Sequence, residues 1–290
     1  MIKSKKAQTV FVGSSDDIET RSIVLKGKKI SYKVNGTGPP LVFVHGWIGN
    51  EDSFEFCRDA FGHYYTIYSI AWPGYGGSEY APGFTIEGLV ELLKSFINEL
   101  QLGQVTLAAN CLGGNVAMEF IRLYPEMVKQ LILVEVHAYF PKYLYLGLIP
   151  GVSRFLFWLL VKNRVGIQFL NLFFSFQKND ENQRRLYIQE GFQRTPINSA
   201  MTFLKAIYRF SKKVEAFYLE NYRTDVPVIY VEGGETFGPV ADFKNLVNTY
   251  FQNLQVVSIP ESIHNPVSET PELFNERVLR LLGHEPVISS

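Results

Sequence analysis

The chain has 290 residues, 47% hydrophobic and 19% charged, a globular composition long enough for one large α/β domain or two small ones. Its 28 basic and 28 acidic side chains cancel and no basic run extends beyond residues 3–6, which excludes nucleic acid as a partner. Two cysteines, Cys57 and Cys111, are too few for a disulfide framework, the N-terminus lacks an apolar signal core, and no apolar stretch approaches the ~20 residues needed to cross a bilayer; a cytoplasmic protein is expected.

In chain order, the first signals are two β-patterned runs, 22–25 and 29–34, which flank "KGK" and read as a hairpin. "LVFVHGWIGN" is an apolar run ending in His45-Gly46, a buried strand entering a glycine turn. "YYTIYSIAWPGYGG" reads as a second strand leading into a Gly/Pro loop. Ile86, Leu89, Val90, Leu93, Phe96, Ile97 and Leu100 then recur at helical spacing, and Gly103 closes that helix.

The run 105–109 is a further strand, and it opens directly into "NCLGGNVAMEF", where a helical pattern starts. Ala109 and Gly113 lie two residues to either side of Cys111. A sharp strand–turn–helix needs small flanking residues, and it projects the central side chain over a helix N-terminus. A thiol there gains acidity from the helix dipole and from a nearby histidine, favouring the thiolate that attacks. The competing reading is a small core hydrophobe, the commonest role of a free cysteine.

A strand over 130–136 follows, and then an excursion to the next strand at 228–231 that is unusually rich in Phe, Tyr, Leu and Trp. We read residues 139–222 as a helical cap on a core formed by 1–138 and 223–290. Its aromatics, Phe155 and Trp158 among them, either pack between cap and sheet or line a substrate pocket or membrane-facing surface. The last strand, 256–259, leads into "PESIHNPVSETPELF", which places His264 in a loop between strand and helix. Such a loop returns an imidazole over the sheet edge, where it can serve a nucleophile as base. Strands alternating with helices argue for a mostly parallel sheet covered on both faces.

Four motifs in this order, "HGWIGN", "WPGYGGS", "ANCLGG" and "IHNPVSETPELF", resemble the oxyanion loop, the next loop, the nucleophile elbow and the histidine loop of the α/β-hydrolase superfamily. The resemblance implies an α/β-hydrolase fold with a helical cap inserted after the sixth strand. It also implies an oxyanion hole made by the backbone N–H groups of Trp47 and Leu112. Two departures stand out: Ala71 occupies the position where the family's loop usually begins with aspartate, and Thr236 occupies the usual position of the triad acid. In the branch that includes haloalkane dehalogenases the acid sits at the end of the preceding strand, and "LILVEVHAY" puts Glu135 there, with Glu235 and Glu232 as alternates.

That branch attacks with a carboxylate and holds halide with the tryptophan beside it, whereas this chain has Cys111 and Leu112. Cysteine nucleophiles on this fold occur in dienelactone hydrolases and polyhydroxyalkanoate synthases. The resemblance therefore implies a Cys111–His264–Glu135 triad for ester or thioester hydrolysis, or acyl transfer, on a small-molecule substrate with a hydrophobic acyl part, with no metal and no cofactor. The alternative is a non-catalytic hydrolase-like protein that binds an apolar ligand or makes peripheral membrane contact through its cap. The sequence leaves the oligomeric state open.

Overall fold

The computed structural model describes residues 18–136, 142–163, 165–166, 190–221, 224–236, 247 and 250–285. Strands β1 (Glu19–Leu25) and β2 (Lys28–Asn35) form the expected antiparallel hairpin, Leu25 opposite Lys28. Lys26 and Gly27 between them both take positive φ, +49° and +75°, the backbone twist that a two-residue hairpin loop requires. β3 (Pro40–Val44), the short helix α1 (Arg58–Gly62), β4 (Thr66–Ile70), α2 (Ile86–Glu99), β5 (Val105–Asn110), α3 (Gly113–Leu123) and β6 (Val128–Val134) follow. After the long excursion come β7 (Val228–Gly233) and β8 (Leu254–Ile259).

These strands form one eight-stranded sheet in the order β1-β2-β4-β3-β5-β6-β7-β8. β2 runs antiparallel to β4, and every pairing from β4 to β8 is parallel. The central strands are apolar on both faces because helices cover both; β5 is buried at each of its first five positions. On one face lie α2 and α3, with Leu89, Phe96, Val116 and Phe120 in the core. On the other, Phe43, Phe54 and Phe61 pack with Phe274 of α7 (Pro271–Leu281), beneath Ile132 and Ile229 of the sheet.

α2 shows why the sequence pattern was readable. Its apolar residues fall on one face, and Thr85 caps its start by accepting the Gly88 N–H at 3.1 Å.

Between β6 and β7 the described residues are helical: a 3₁₀ segment (Lys142–Leu148), α4 (Val152–Phe157) continuing as a π turn (Trp158–Lys162), and α5 (Ile197–Asn221). Several bonds tie this part to the core loops, three of them to backbone carbonyls. The Trp47 indole N–H donates to Ala200 O at 2.8 Å, Thr195 Oγ1 to Ile48 O at 3.0 Å and Ser199 Oγ to Gly74 O at 2.7 Å. Among the described residues no helix is long and apolar enough to cross a membrane.

Candidate active site

Only Cys111 and Leu112 separate β5 from α3. Cys111 has φ +48°, a left-handed conformation that costs a non-glycine residue on the order of 1 kcal/mol. The turn is held from both sides: the Cys111 N–H donates to Val134 O at 2.8 Å, and its carbonyl accepts the Gly114 N–H at 3.0 Å. Gly113 is required for close approach, since a Cβ there would lie 2.4 Å from the His45 carbonyl oxygen. The result is a half-buried thiol at the N-terminus of an 11-residue helix, where the dipole favours negative charge.

His264 lies between β8 and the short helix α6 (Pro266–Glu269). One carboxylate shapes this loop. Glu269 accepts the Ser262 hydroxyl at 2.7 Å and the N–H groups of Ile263 at 2.6 Å, His264 at 3.3 Å and Asn265 at 3.0 Å. Sequence reasoning passed over Glu269; the signal was a carboxylate at the end of the short helix after Asn265-Pro266, a relative of the capping box. Gly233 lets this loop reach the sheet edge, since a Cβ there would lie 2.4 Å from Ser262 O.

The His264 imidazole hydrogen-bonds the Cys111 side chain, and its Nδ1 faces Glu135 Oε2 at 3.4 Å. Burial alone disfavours a charge on this ring. The hydrogen bonds and charge attraction of Cys111 and Glu135 outweigh that, and His264 is pushed up from 6.5 to about 10.

Glu135 follows β6 immediately, at φ +49° and 1% exposed. A buried carboxylate needs partners, and it has them. Oε1 accepts the Gly233 N–H and Oε2 accepts the Thr236 hydroxyl at 2.7 Å. Thr236, at the position where the usual aspartate is missing, thus supports the carboxylate that stands in its neighbourhood. Of the alternates, Glu232 is buried within β7 and Glu235 is exposed in the turn after it.

Trp47 and Leu112 follow Gly46 and Cys111 in two loops that meet. Gly46 brings the first of them against Cys111: a Cβ on Gly46 would lie 3.1 Å from Cys111 Cβ and 3.5 Å from Leu112 N. Among the described residues neither the Trp47 nor the Leu112 N–H donates to a protein acceptor. Two unengaged N–H groups beside a thiol can receive a developing oxyanion. The loop that lacks its aspartate at Ala71 is held in other ways. The Trp72 N–H donates to His45 Nε2 at 3.0 Å, the Trp72 indole N–H to His45 O at 3.1 Å, and Ser78 Oγ to Ala71 O at 2.8 Å. His45 is fully buried and is lowered to about 4 because burial disfavours its charge, its bond to the Gly46 carbonyl opposing only in part.

Phe155 and Trp158 are not turned toward this cluster. They are 59% and 50% exposed, while Ser153, Phe157 and Val161 occupy the inner face of the same helical stretch. Phe157 meets the Trp47 ring edge-on at 6.2 Å between centroids. Helical spacing accounts for the difference: residues four apart share a face, and 155 and 158 fall away from the 153–157–161 row. Among the described residues no group of three or more His, Cys, Asp or Glu side chains could hold a metal ion.

Comparison with known proteins gives three findings. The family model described as the alpha/beta hydrolase fold matches residues 39–271. A Haemophilus influenzae protein named as a candidate esterase/lipase is 24% identical over 253 residues, which cover 84% of this chain and 83% of the relative. Of solved structures, a candidate lipase of Acinetobacter baumannii superposes with a TM-score of 0.76 at 20% identity over 91% of each chain, and an epoxide hydrolase of Vigna radiata with a TM-score of 0.76 at 19% identity over 93% of this chain and 99% of that one. At these identities the structural likeness carries the fold alone.

Proposed function

Because the chain belongs to the α/β-hydrolase fold family, we propose that it cleaves esters or thioesters with a hydrophobic acyl part, or transfers that acyl group, through a covalent intermediate on Cys111. The observation that carries this reading is the thiol–imidazole–carboxylate line. Cys111 hydrogen-bonds His264, whose Nδ1 faces a buried Glu135 held by Gly233 and Thr236. An imidazole raised to about 10 retains its proton at neutral pH, and an imidazolium beside a thiol at a helix N-terminus favours the thiolate.

The thiolate attacks the substrate carbonyl carbon, and the carbonyl electron pair moves to oxygen, where the Trp47 and Leu112 N–H groups receive it. Collapse of this intermediate breaks the bond to the leaving group, which takes the His264 proton, and an acyl-thioester remains on Cys111. His264 then removes a proton from water or another acceptor. That acceptor attacks the thioester carbonyl, releasing the acyl product and restoring the thiolate. Glu135 keeps the imidazole oriented and stabilises its cation throughout. The apolar packing of Phe157 and Val161 beside Trp47 supports a hydrophobic acyl part in the substrate.

The test is a screen of p-nitrophenyl esters and acyl-thioesters of increasing chain length, with the acyl-enzyme sought by mass spectrometry. Turnover and an adduct on Cys111 are expected, and Cys111→Ala should fold normally and lose both. Turnover that survives Cys111→Ala would overturn the mechanism. If the wild type shows neither turnover nor adduct but binds apolar ligands, the chain is a non-catalytic hydrolase-like binder.

A further inference from the structure

The stretch formed by α4 and its π turn is apolar on two sides. Phe157 and Val161 face inward and pack with Ala200 and Met201. Val152, Phe155, Trp158 and Leu159 face outward at 41%, 59%, 50% and 37% exposure, and Leu146 and Ile149 just before them are 56% and 46% exposed. An ordinary surface helix of this protein differs: α7 buries Phe274 and Val278 and turns Glu272 and Arg280 outward. Large apolar side chains exposed together on the outer side of a helix mark an interaction surface.

Along the sequence, the segment that carries this face has charges of one sign. From residue 136 to 179 the chain contains no Asp or Glu, but it contains Lys142, Arg154, Lys162, Arg164 and Lys178. Arg154 is exposed on the patch itself, hydrogen-bonded to Asn198 Oδ1 at 2.7 Å. Exposed Trp and Phe beside basic residues match the headgroup boundary of an anionic bilayer, where rings enter the interface and cations meet lipid phosphates and carboxylates. A second copy fits less well, because a two-fold contact would set the exposed Arg154 of one copy near that of the other.

We propose that the outward face of α4 and its π turn, centred on Phe155 and Trp158, docks on an anionic phospholipid membrane. The protein lies on the surface there, without spanning it. This deepens the acyl reading, since such a membrane holds hydrophobic acyl substrates; vesicle binding is measured without turnover, so the two fail separately.

The test is flotation of the full-length protein with phosphatidylcholine vesicles, with and without phosphatidylserine, alongside Trp158 emission read as the difference from a Trp158→Phe protein. We expect flotation that depends on phosphatidylserine and weakens with salt, and a blue shift of Trp158 on binding. Phe155→Ser with Trp158→Ser, or Arg154→Glu alone, should lower the apparent partition about tenfold or more, while Cys111→Ala binds as the wild type does. Absence of flotation, or flotation indifferent to these substitutions, would overturn the proposal. So would a dimer in sedimentation velocity that the Phe155→Ser, Trp158→Ser protein no longer forms, which would assign the face to a second copy.

Discussion

Two cysteines with the same side chain sit in opposite surroundings, and the difference is chemical. Cys57 is fully buried, its thiol 3.9 Å from Val267 O, and burial pushes it well above the usual thiol range. Cys111 is half-buried at a helix N-terminus against His264. Iodoacetamide at neutral pH should therefore alkylate Cys111 much faster than Cys57, as peptide mapping would show; equal rates would mark Cys111 as an ordinary thiol. The acid is tested by a pair of substitutions. Glu135→Gln keeps the shape but removes the charge that stabilises the imidazolium, and turnover should fall by about two to four orders of magnitude. Glu235→Gln, at an exposed turn position, should stay near wild type. The reverse pattern would move the acid to Glu235. Thr236 extends the comparison: Thr236→Val removes the 2.7 Å bond to Oε2, so kcat should drop while KM holds, and Thr236→Ser should restore it.

At the scale of elements, the site depends on three short connections that bring distant strands to one edge. β5 turns into α3 within two residues, β3 enters its loop through His45 and Gly46, and the β8–α6 loop folds around Glu269. Glu269 alone accepts three successive backbone N–H groups there. Glu269→Gln replaces charge-assisted acceptors with neutral ones, and we expect a loss of about 2 kcal/mol in denaturant unfolding. A larger loss in kcat than in KM should accompany it, because the clamp fixes where His264 stands and not how substrate binds. Unchanged kcat would show that the loop holds His264 without the clamp.

Over the whole molecule, two histidines give stability opposite pH dependences. His45 is neutral in the folded protein down to about 4, whereas an unfolded imidazole takes up a proton near 6.5. Its contribution is complete above about 6.5 and is lost as pH falls toward 4, on the order of 3 kcal/mol at most. A His45→Gln protein should show a flatter stability profile over that acid range in urea titrations; an unchanged slope would exclude His45 as its source. His264 is raised, so its contribution is complete below 6.5 and is lost as pH rises through about 10. The sequence by itself determined a mostly parallel sheet covered on both faces, because apolar runs alternating with helical patterns and a hairpin at the start are local features written in the spacing of neighbouring side chains; its resemblance to the α/β-hydrolase superfamily added the fold. Motifs in order along the chain singled out Cys111, His264 and Glu135 as candidates. Strand ends stood up to three residues off, β1 beginning at Glu19 and not at 22 and β6 at Val128 and not at 130, because polar edge residues leave the pattern unchanged. The tertiary structure alone decided that Glu135 meets His264 across 129 residues of chain, that Thr236 donates to that carboxylate, that Glu269 clamps the histidine loop, and that Phe157 faces inward while Phe155 and Trp158 face out. Periodicity tells which residues share a face, but not which face meets the core. The partners of a buried carboxylate are set by which strand ends the sheet order places side by side, and no local pattern encodes that distance.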